Sequence, residues 1–218
     1  MKCSNACAER SSRHAMLFLV LATVFSFGGS AHAQEAPSLE ALLRAFSELP
    51  GLHARFHEEK RIALLAVPVR SEGEIFYTPG KLLRRVSSPT PSVALIDGAR
   101  LVVRSGSERQ VIEFADNPVV AAFVGSMRHV LAGDLEALRA DYEVDFEADG
   151  PRWTMTLRPR GQALRRFLRE MVLTGEGHAL TRMRMAEVSG DTTVTEFDQI
   201  DADRNYSAAE RRRIFRVE

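Results

Sequence analysis

Between residues 54 and 200 the sequence alternates apolar and polar residues with a period of two, in short runs separated by turn residues. A period of two is typical of a β-strand that buries one face. Because the connections between the runs are short, the strands are predicted to be mostly antiparallel neighbours in one sheet. The turn residues are Pro79-Gly80, Pro89-Thr90-Pro91, Asp97-Gly98, Gly106, Gly150-Pro151, Gly175-Glu176-Gly177 and Gly190-Asp191.

The first predicted strand begins at Ala54 and places Phe56, Ile62 and Leu64 on one face, with Pro68 in the turn that follows. The remaining predicted strands are 73–77, 82–86, 93–96, 101–104, 110–114, 142–147, 152–158, 168–174, 179–188 and 192–200. A single antiparallel sheet of roughly ten strands is expected to twist and curl, since sheets this wide rarely stay flat.

Helical spacing replaces the period of two in a few segments. The predicted helices are 37–49, 118–131, 135–140 and a basic helix that begins at a capping box, Ser207 to Glu210. Pro37 suits a first helical turn, and Phe123 and Met127 belong to a wide apolar face of the second helix. These helices are expected to cover one face of the sheet. The sequence therefore predicts an α+β fold: a strongly curved antiparallel sheet with an α-helical lid over an apolar cavity.

The first 33 residues have the three parts of a secretory signal peptide. Basic residues precede an apolar run at 17–29, and Ala31-His32-Ala33 is an A-x-A cleavage site. The run is shorter than the ~20 residues that a membrane-spanning helix needs. Cleavage after Ala33 would leave one exported domain, 34–218. Both cysteines, Cys3 and Cys7, lie in the removed segment, so the mature domain is expected to have no disulfide.

Charge and motifs argue against several classes of function. The chain has 29 basic and 29 acidic residues, so it lacks the basic excess of a nucleic-acid-binding protein. Ser126 lacks the surrounding glycines of a nucleophile elbow. His53 and His57 are four residues apart but fall on a strand pattern, without the second histidine of H-E-x-x-H. No catalytic residue, metal site or cofactor is predicted, and the protein is expected to be a monomeric binding protein rather than an enzyme.

Apolar residues on one parity of three strands are the candidates for a binding surface. Methionines recur among them, and methionine-rich surfaces adapt to varied apolar shapes. The same residues would also suit an ordinary packed core, so both interpretations stay open. A wide sheet with few covering helices has difficulty filling its concave face, which favours a cavity. The candidate ligand-binding residues are Leu42, Phe46, Phe56, Ile75, Tyr77, Leu82, Phe123, Met127, Trp153, Met155, Leu157, Met171, Leu173, Met183 and Met185.

Several short motifs occur in an order that resembles the LolA/LolB-like periplasmic lipoprotein-carrier superfamily. They are Gly-x-Ile-x-Tyr-Thr-Pro-Gly-x-Leu-Leu at 73–83, Pro89, Asp97-Gly98, Leu101-Val102-Val103, the helix at 118–131, Gly133-Asp134-Leu135, the segment 153–159, and Gly190-Asp191-Thr192-Thr193-x-Thr-x-Phe197. The resemblance implies an incomplete β-barrel with a helical lid, whose cavity holds the acyl chains of a lipoprotein or lipid. It also implies transfer from an inner-membrane exporter to an outer-membrane acceptor.

The sequence departs from that family at the hinge before the lid. The resemblance assigns an arginine that holds the lid closed to the position just before Pro79, where this chain has Thr78. Aromatic residues expected shortly afterwards are replaced by Leu82, Leu83 and Arg84. The segment 58–73 is more similar to LolA-like proteins of aryl-polyene or other lipid-export systems. A lipoprotein cargo, another lipid cargo and a docking domain without cargo therefore all remain open.

Overall fold

The computed structural model describes residues 36–217, and within them the chain forms one eleven-stranded antiparallel sheet and five α-helices. The strands are β1 (Leu52–Arg61), β2 (Val69–Thr78), β3 (Lys81–Ser88), β4 (Ser92–Asp97), β5 (Arg100–Ser105), β6 (Glu108–Glu113), β7 (Tyr142–Asp149), β8 (Arg152–Pro159), β9 (Leu168–Glu176), β10 (Ala179–Glu187) and β11 (Thr192–Asp201). The helices are α1 (Leu39–Ser47), α2 (Pro118–Ala132), α3 (Leu135–Asp141), α4 (Gln162–Arg165) and α5 (Ala208–Ile214). The predicted fold class is confirmed, whereas the predicted signal peptide lies outside the described residues.

The strands follow one another across the sheet in the order β6-β5-β4-β3-β2-β1-β11-β10-β9-β8-β7. Two meanders, β1–β6 and β7–β11, are joined where β1 pairs with β11. Helices α2 and α3 lie between the meanders in the chain. Within the described residues β6 and β7 are the two edges and do not pair with each other, so the sheet is not a closed barrel.

The sheet is strongly curved, and one pair of residues demonstrates it. Leu82 on β3 and Leu157 on β8 line the same cavity of about 200 Å³. Six strand spacings separate β3 from β8 in the sheet, and these would span about 29 Å if the sheet were flat. Both residues can reach one small cavity only because the sheet bends around it.

Helix α1 packs on the concave face and forms the centre of the larger core. Ser38 is its N-cap, with a side chain that accepts a hydrogen bond from the Ala41 amide at 3.1 Å. Pro37 therefore precedes the cap, and its predicted place in the first turn is wrong. The Phe46 ring meets the Trp153 ring edge-on, with ring centroids 6.0 Å apart. We call this core the concave cluster: Leu39, Leu42, Leu43, Phe46, Leu49, Leu138, Tyr142, Trp153, Met155, Leu157, Leu164, Leu168, Met171 and Leu173.

A second core lies on the opposite, convex face and is covered by α5. We call it the convex cluster: Phe76, Leu83, Leu95, Tyr206, Ile214 and Phe215. The predicted capping box is present, because Ser207 and Glu210 exchange side-chain-to-amide hydrogen bonds of 2.9 and 3.2 Å. The prediction that all helices cover one face is wrong. Strands β2 to β4 carry apolar residues on both faces, and α5 buries those that point away from the lid.

Two further differences concern element boundaries. Ile62 and Leu64 were expected in the first strand, but β1 ends at Arg61, and the Leu64 side chain is 94% exposed. Arg61 pairs with Thr192, the first residue of β11, so the chain beyond Arg61 has no ladder partner on that side. Phe114, expected at the end of a strand, instead begins a 3₁₀ turn, and α4 was not predicted. Among the described helices, none is long and apolar enough to cross a membrane.

Candidate ligand-binding cavity

The cavity of about 200 Å³ lies between the concave face of the sheet and helices α1 and α2. Its walls are mainly aliphatic and aromatic. The lining residues are Phe46, Leu49, Leu52, Ala54, Glu58, Ile75, Tyr77, Leu82, Arg84, Ser126, Met127, Val130, Leu131, Leu157, Met171, Leu173, His178, Leu180, Met183, Thr195, Phe197 and Ile200. Burial among these groups raises the pKa of the Tyr77 phenol above its ordinary value, because the charged phenolate would lose its hydration there.

Nine of the fifteen candidate residues line this cavity. They come from α1, α2 and five strands, and they are Phe46, Ile75, Tyr77, Leu82, Met127, Leu157, Met171, Leu173 and Met183. The register explains the grouping on the sheet: Leu173 on β9 pairs with Met183 on β10, and Met171 pairs with Leu157 on β8. Residues directly opposite one another in adjacent strands point to the same face, so these four side chains form one continuous wall.

The other six candidates lie outside the cavity lining. Leu42, Trp153 and Met155 are buried in the concave cluster, and Phe123 and Met185 pack against it. The Trp153 indole N–H donates to the Gly177 carbonyl at 2.9 Å, which fixes the ring in the wall. Phe56 is also fully buried. These side chains do not line the cavity, and their predicted contact with a ligand stays a prediction.

Helix α2 is the lid, and its two ends are fixed differently. At its start the Asn117 side chain accepts from the Val120 amide at 3.2 Å, and at its end Gly133 adopts a left-handed conformation with φ of 69°. In its C-terminal half, Arg128 donates to the Gly98 carbonyl in the β4–β5 turn at 3.5 Å. Of the lid residues, Val124 and Ser126 are buried, and the Ser126 hydroxyl donates to the Phe123 carbonyl at 2.6 Å. Most of the lid is thus half-buried, as expected of an element that covers a cavity.

The predicted hinge residues sit at the β2–β3 turn. Thr78 is the last residue of β2 and is buried, whereas Pro79 is exposed. By strand parity the Thr78 side chain points to the same face as Phe76, away from Tyr77 and the lid. The role of Thr78 and Pro79 as a hinge stays a prediction; the hydrogen bond from Arg128 is what joins the lid to a turn of the sheet.

Sequence reasoning missed a polar group in the cavity wall. Glu58 on β1 accepts hydrogen bonds from Arg84 at 2.9 Å, from the Thr195 hydroxyl at 3.0 Å and from the Ser71 hydroxyl at 3.3 Å. The Arg84 guanidinium lies over the Phe56 ring, 4.2 Å from its centroid. The parity of β1, which puts Ala54, Phe56 and Glu58 on one face, was the available signal for Glu58.

The histidines that suggested a metal site lie on the convex face of the sheet. His53 accepts or donates a hydrogen bond with Glu74 at 3.0 Å and stacks on the Phe76 ring, with centroids 4.8 Å apart. His57 lies 3.2 Å from a carboxylate oxygen of Asp198. Within residues 36–217, no three histidine, cysteine or acidic side chains come together as a metal ion would require.

Solved structures similar to this chain are distant in sequence. A LolA superfamily protein from Nitrosomonas europaea is 12% identical, with 80% of this chain and 97% of that chain covered and a TM-score of 0.41. A putative outer membrane lipoprotein-sorting protein domain from Vibrio parahaemolyticus is 12% identical, with 81% and 96% covered and a TM-score of 0.45. The lipoprotein LppX from Mycobacterium tuberculosis is 11% identical, with 78% and 98% covered and a TM-score of 0.44. No curated protein matches the chain.

A family model gives the decisive comparison. Residues 31–211 match the model described as outer membrane lipoprotein carrier protein LolA-like, and this match covers well over half of the chain. The matched range includes every strand of the sheet, helices α1 to α4 and all the residues that line the cavity. The chain belongs to the family of LolA-like outer membrane lipoprotein carrier proteins.

Proposed function

We propose that this protein is a periplasmic carrier that encloses acyl chains of a lipoprotein or lipid and moves them from the inner to the outer membrane. The observation that carries the proposal is the apolar cavity between the concave face and the lid. Each methylene moved from water into such a site gains about 0.8 kcal/mol, which is enough to hold an acyl chain without any covalent step. An inner-membrane exporter and an outer-membrane acceptor are its proposed partners.

Loading requires the lid to move. The cavity of about 200 Å³ is smaller than the ~300–1,000 Å³ of a typical ligand pocket. The half-buried residues of α2 would separate from the sheet, and acyl chains would take their place against the same apolar wall. The Arg128–Gly98 contact would break in this step, since it joins the lid to a turn of the sheet.

Replacing Met183 by Glu tests the proposal directly. Met183 lines the cavity on β10, and a carboxylate there would oppose an acyl chain, because a charge in an apolar site is costly. We expect the affinity for a fluorescent fatty-acid probe to fall about tenfold or more, which corresponds to the loss of roughly two buried methylenes. Thr181→Glu, at an exposed position of the same strand, is the matched control and should bind like the wild type.

The natural cargo is identified by extracting the protein, purified from its native envelope, with organic solvent and analysing the extract by mass spectrometry. An acylated peptide would show a lipoprotein carrier, and an aryl-polyene or other free lipid would show a lipid shuttle. If the extract contains no lipid and the purified protein does not bind the acyl probe, the result would contradict the carrier proposal and favour a docking domain.

A further inference from the structure

One charged pair interrupts the apolar wall of the cavity. Arg84 on β3 and Glu58 on β1 both line the cavity, and their side chains are 33% and 22% exposed. The two positions are 26 residues apart in the chain. Their strands are separated in the sheet by β2, and the two side chains meet across it on the concave face. Charged groups are costly in an apolar wall unless they are paired and hydrogen-bonded.

Glu58 is held firmly on the protein side. Both of its carboxylate oxygens accept hydrogen bonds, Oε1 from Arg84 and Ser71 and Oε2 from Thr195. Thr195 is itself almost fully buried. The carboxylate therefore has its acceptor capacity largely occupied and serves to fix the guanidinium in place.

Arg84 is held on one side and keeps donors for another partner. A guanidinium has five N–H donors, and in the described part of the chain the hydrogen bond of Arg84 is the one from Nη2 to Glu58. Its Cζ atom lies over the buried Phe56 ring, 4.2 Å from the ring centroid, so the ring holds the group from a second direction. A guanidinium held in this way is suited to bind the paired oxygens of a carboxylate or phosphate.

We propose that Arg84 binds the anionic headgroup of the cargo, a lipid carboxylate or phosphate, while the acyl chain lies in the apolar cavity. This inference rests on the carrier function proposed above and specifies the class of cargo as an anionic amphiphile. Glu58 and Phe56 are positioning residues, because they act on the headgroup through Arg84. The diacylglyceryl and amide-linked chains of a lipoprotein carry no such charge beside the acyl groups, so the site distinguishes the two kinds of cargo.

The neighbouring arginine provides a matched control. Arg85 also lies over an aromatic ring, at 5.0 Å from the Phe76 centroid, and also faces a glutamate, Glu74, at 3.6 Å. It points to the convex face and lines a charged groove with Arg204 and Glu210, away from the apolar cavity. The two arginines thus share their chemistry and differ in the face of the sheet that they occupy.

The test compares three probes that share a twelve-carbon chain: dodecanoate, dodecyl phosphate and the neutral dodecanol. We expect the wild type to bind both anions more tightly than dodecanol. Arg84→Gln should weaken the two anions about tenfold to a hundredfold, the range expected for a lost charge-assisted hydrogen bond, and leave dodecanol unchanged. Arg85→Gln should leave all three affinities as in the wild type. The stronger of the two anions identifies the headgroup as carboxylate or phosphate.

Arg84→Gln leaves Glu58 without its cation, so the double variant Glu58→Gln, Arg84→Gln is measured beside it. This variant removes both charges, so no unpaired carboxylate stays in the wall, and it should bind dodecanol normally and lose the preference for anions. Retention of that preference in either variant, or equal binding of anions and dodecanol by the wild type, would overturn the headgroup site while leaving the carrier proposal intact. Failure of the wild type to bind any of the three probes would overturn both.

Discussion

Strand β3 carries the same residue types on both faces of the sheet. Leu82 and Arg84 lie on the concave face, and Leu83 and Arg85 lie on the convex face. Leu82 and Arg84 line the concave cavity, whereas Leu83 is fully buried in the convex cluster and Arg85 lies beside it. The composition of the two faces is therefore almost the same at these positions. The difference is in what covers them. Helix α5 closes over the convex face with Ile214 and Phe215, whereas the half-buried α2 leaves space above the concave face.

This comparison separates stability from binding. The six residues of the convex cluster are each at most 9% exposed, so their burial contributes to the stability of the fold. The cavity wall keeps apolar surface that the lid does not fill, and that surface is free to gain contacts when a ligand enters. Substitutions in the convex cluster should therefore change the free energy of unfolding, and matched substitutions of half-buried residues in the cavity wall should change it less.

The largest effect is expected for Leu83→Ala, which would leave a cavity in the convex cluster. We expect the free energy of unfolding to fall by about 2–5 kcal/mol, the range found for buried leucines. Leu82→Ala, one residue away and half-buried, should cost about 1–2 kcal/mol because less apolar surface is lost. Urea unfolding of both variants measures the difference. Equal losses would show that the two faces are packed alike and would break the comparison.

A smaller effect is expected at the end of the lid, for Gly133→Ala. Gly133 has a φ of 69°, and an added Cβ would lie 2.9 Å from the Leu43 carbonyl oxygen on α1. We expect a loss of about 2 kcal/mol, since the left-handed conformation alone costs roughly 1–2 kcal/mol. Gly106→Ala is the control, because its φ of 58° is similar and nothing lies within 4 Å of the added atom. If Gly106→Ala were as costly in thermal unfolding, close packing of α2 on α1 would not be the cause.

The smallest effect is expected for Tyr206→Phe in the convex cluster. The Tyr206 hydroxyl donates to the Leu52 carbonyl at 2.8 Å, and its loss should cost about 1 kcal/mol. Burial raises the pKa of Tyr206 from 10.0 to about 12, so the unfolded chain loses this proton first as the pH rises. In the wild type, the contribution of the raised Tyr206 pKa to the free energy of unfolding is fully present below pH 10. It is lost as the pH rises through about 12. A pH series of urea unfolding should show a shallower alkaline decline in the variant, and an unchanged decline would exclude Tyr206 as its source.

Much of the fold could be predicted because its signals are local. Turn residues such as Asp97-Gly98 and the capping box at Ser207 act within a few positions, and the structure contains both features. The side of the sheet that each helix covers could not be predicted. At Leu82-Leu83 both faces of β3 carry a leucine. Leu82 was expected in the cavity and lines it, but no helix was expected over Leu83, which packs in the convex cluster beneath α5.

The charged pair in the cavity was missed for a different physical reason. Glu58 and Arg84 belong to strands that are separated by β2, and their contact depends on the register of two ladders. A shift of one residue in either ladder would send one of the two side chains to the other face. Apolar residues tolerate such uncertainty, because most of them are buried on either face. A specific ion pair requires both side chains on the same face, so it can be identified only when the register is known.

In residues 36–217 the unclosed sheet ends in two edge strands, β6 and β7, and the charges along them bear on how the protein behaves at high concentration. The outer edge β7 carries acidic residues at alternate positions, Glu143, Asp145, Glu147 and Asp149, and β6 carries Glu108, Arg109 and Glu113. Alternate residues of a strand share a face, so two β7 edges brought together would align carboxylates against carboxylates. This repulsion opposes the addition of one sheet to another. It weakens as salt is added, because salt screens charges on the surface, so high salt is the condition under which the molecules would join edge to edge.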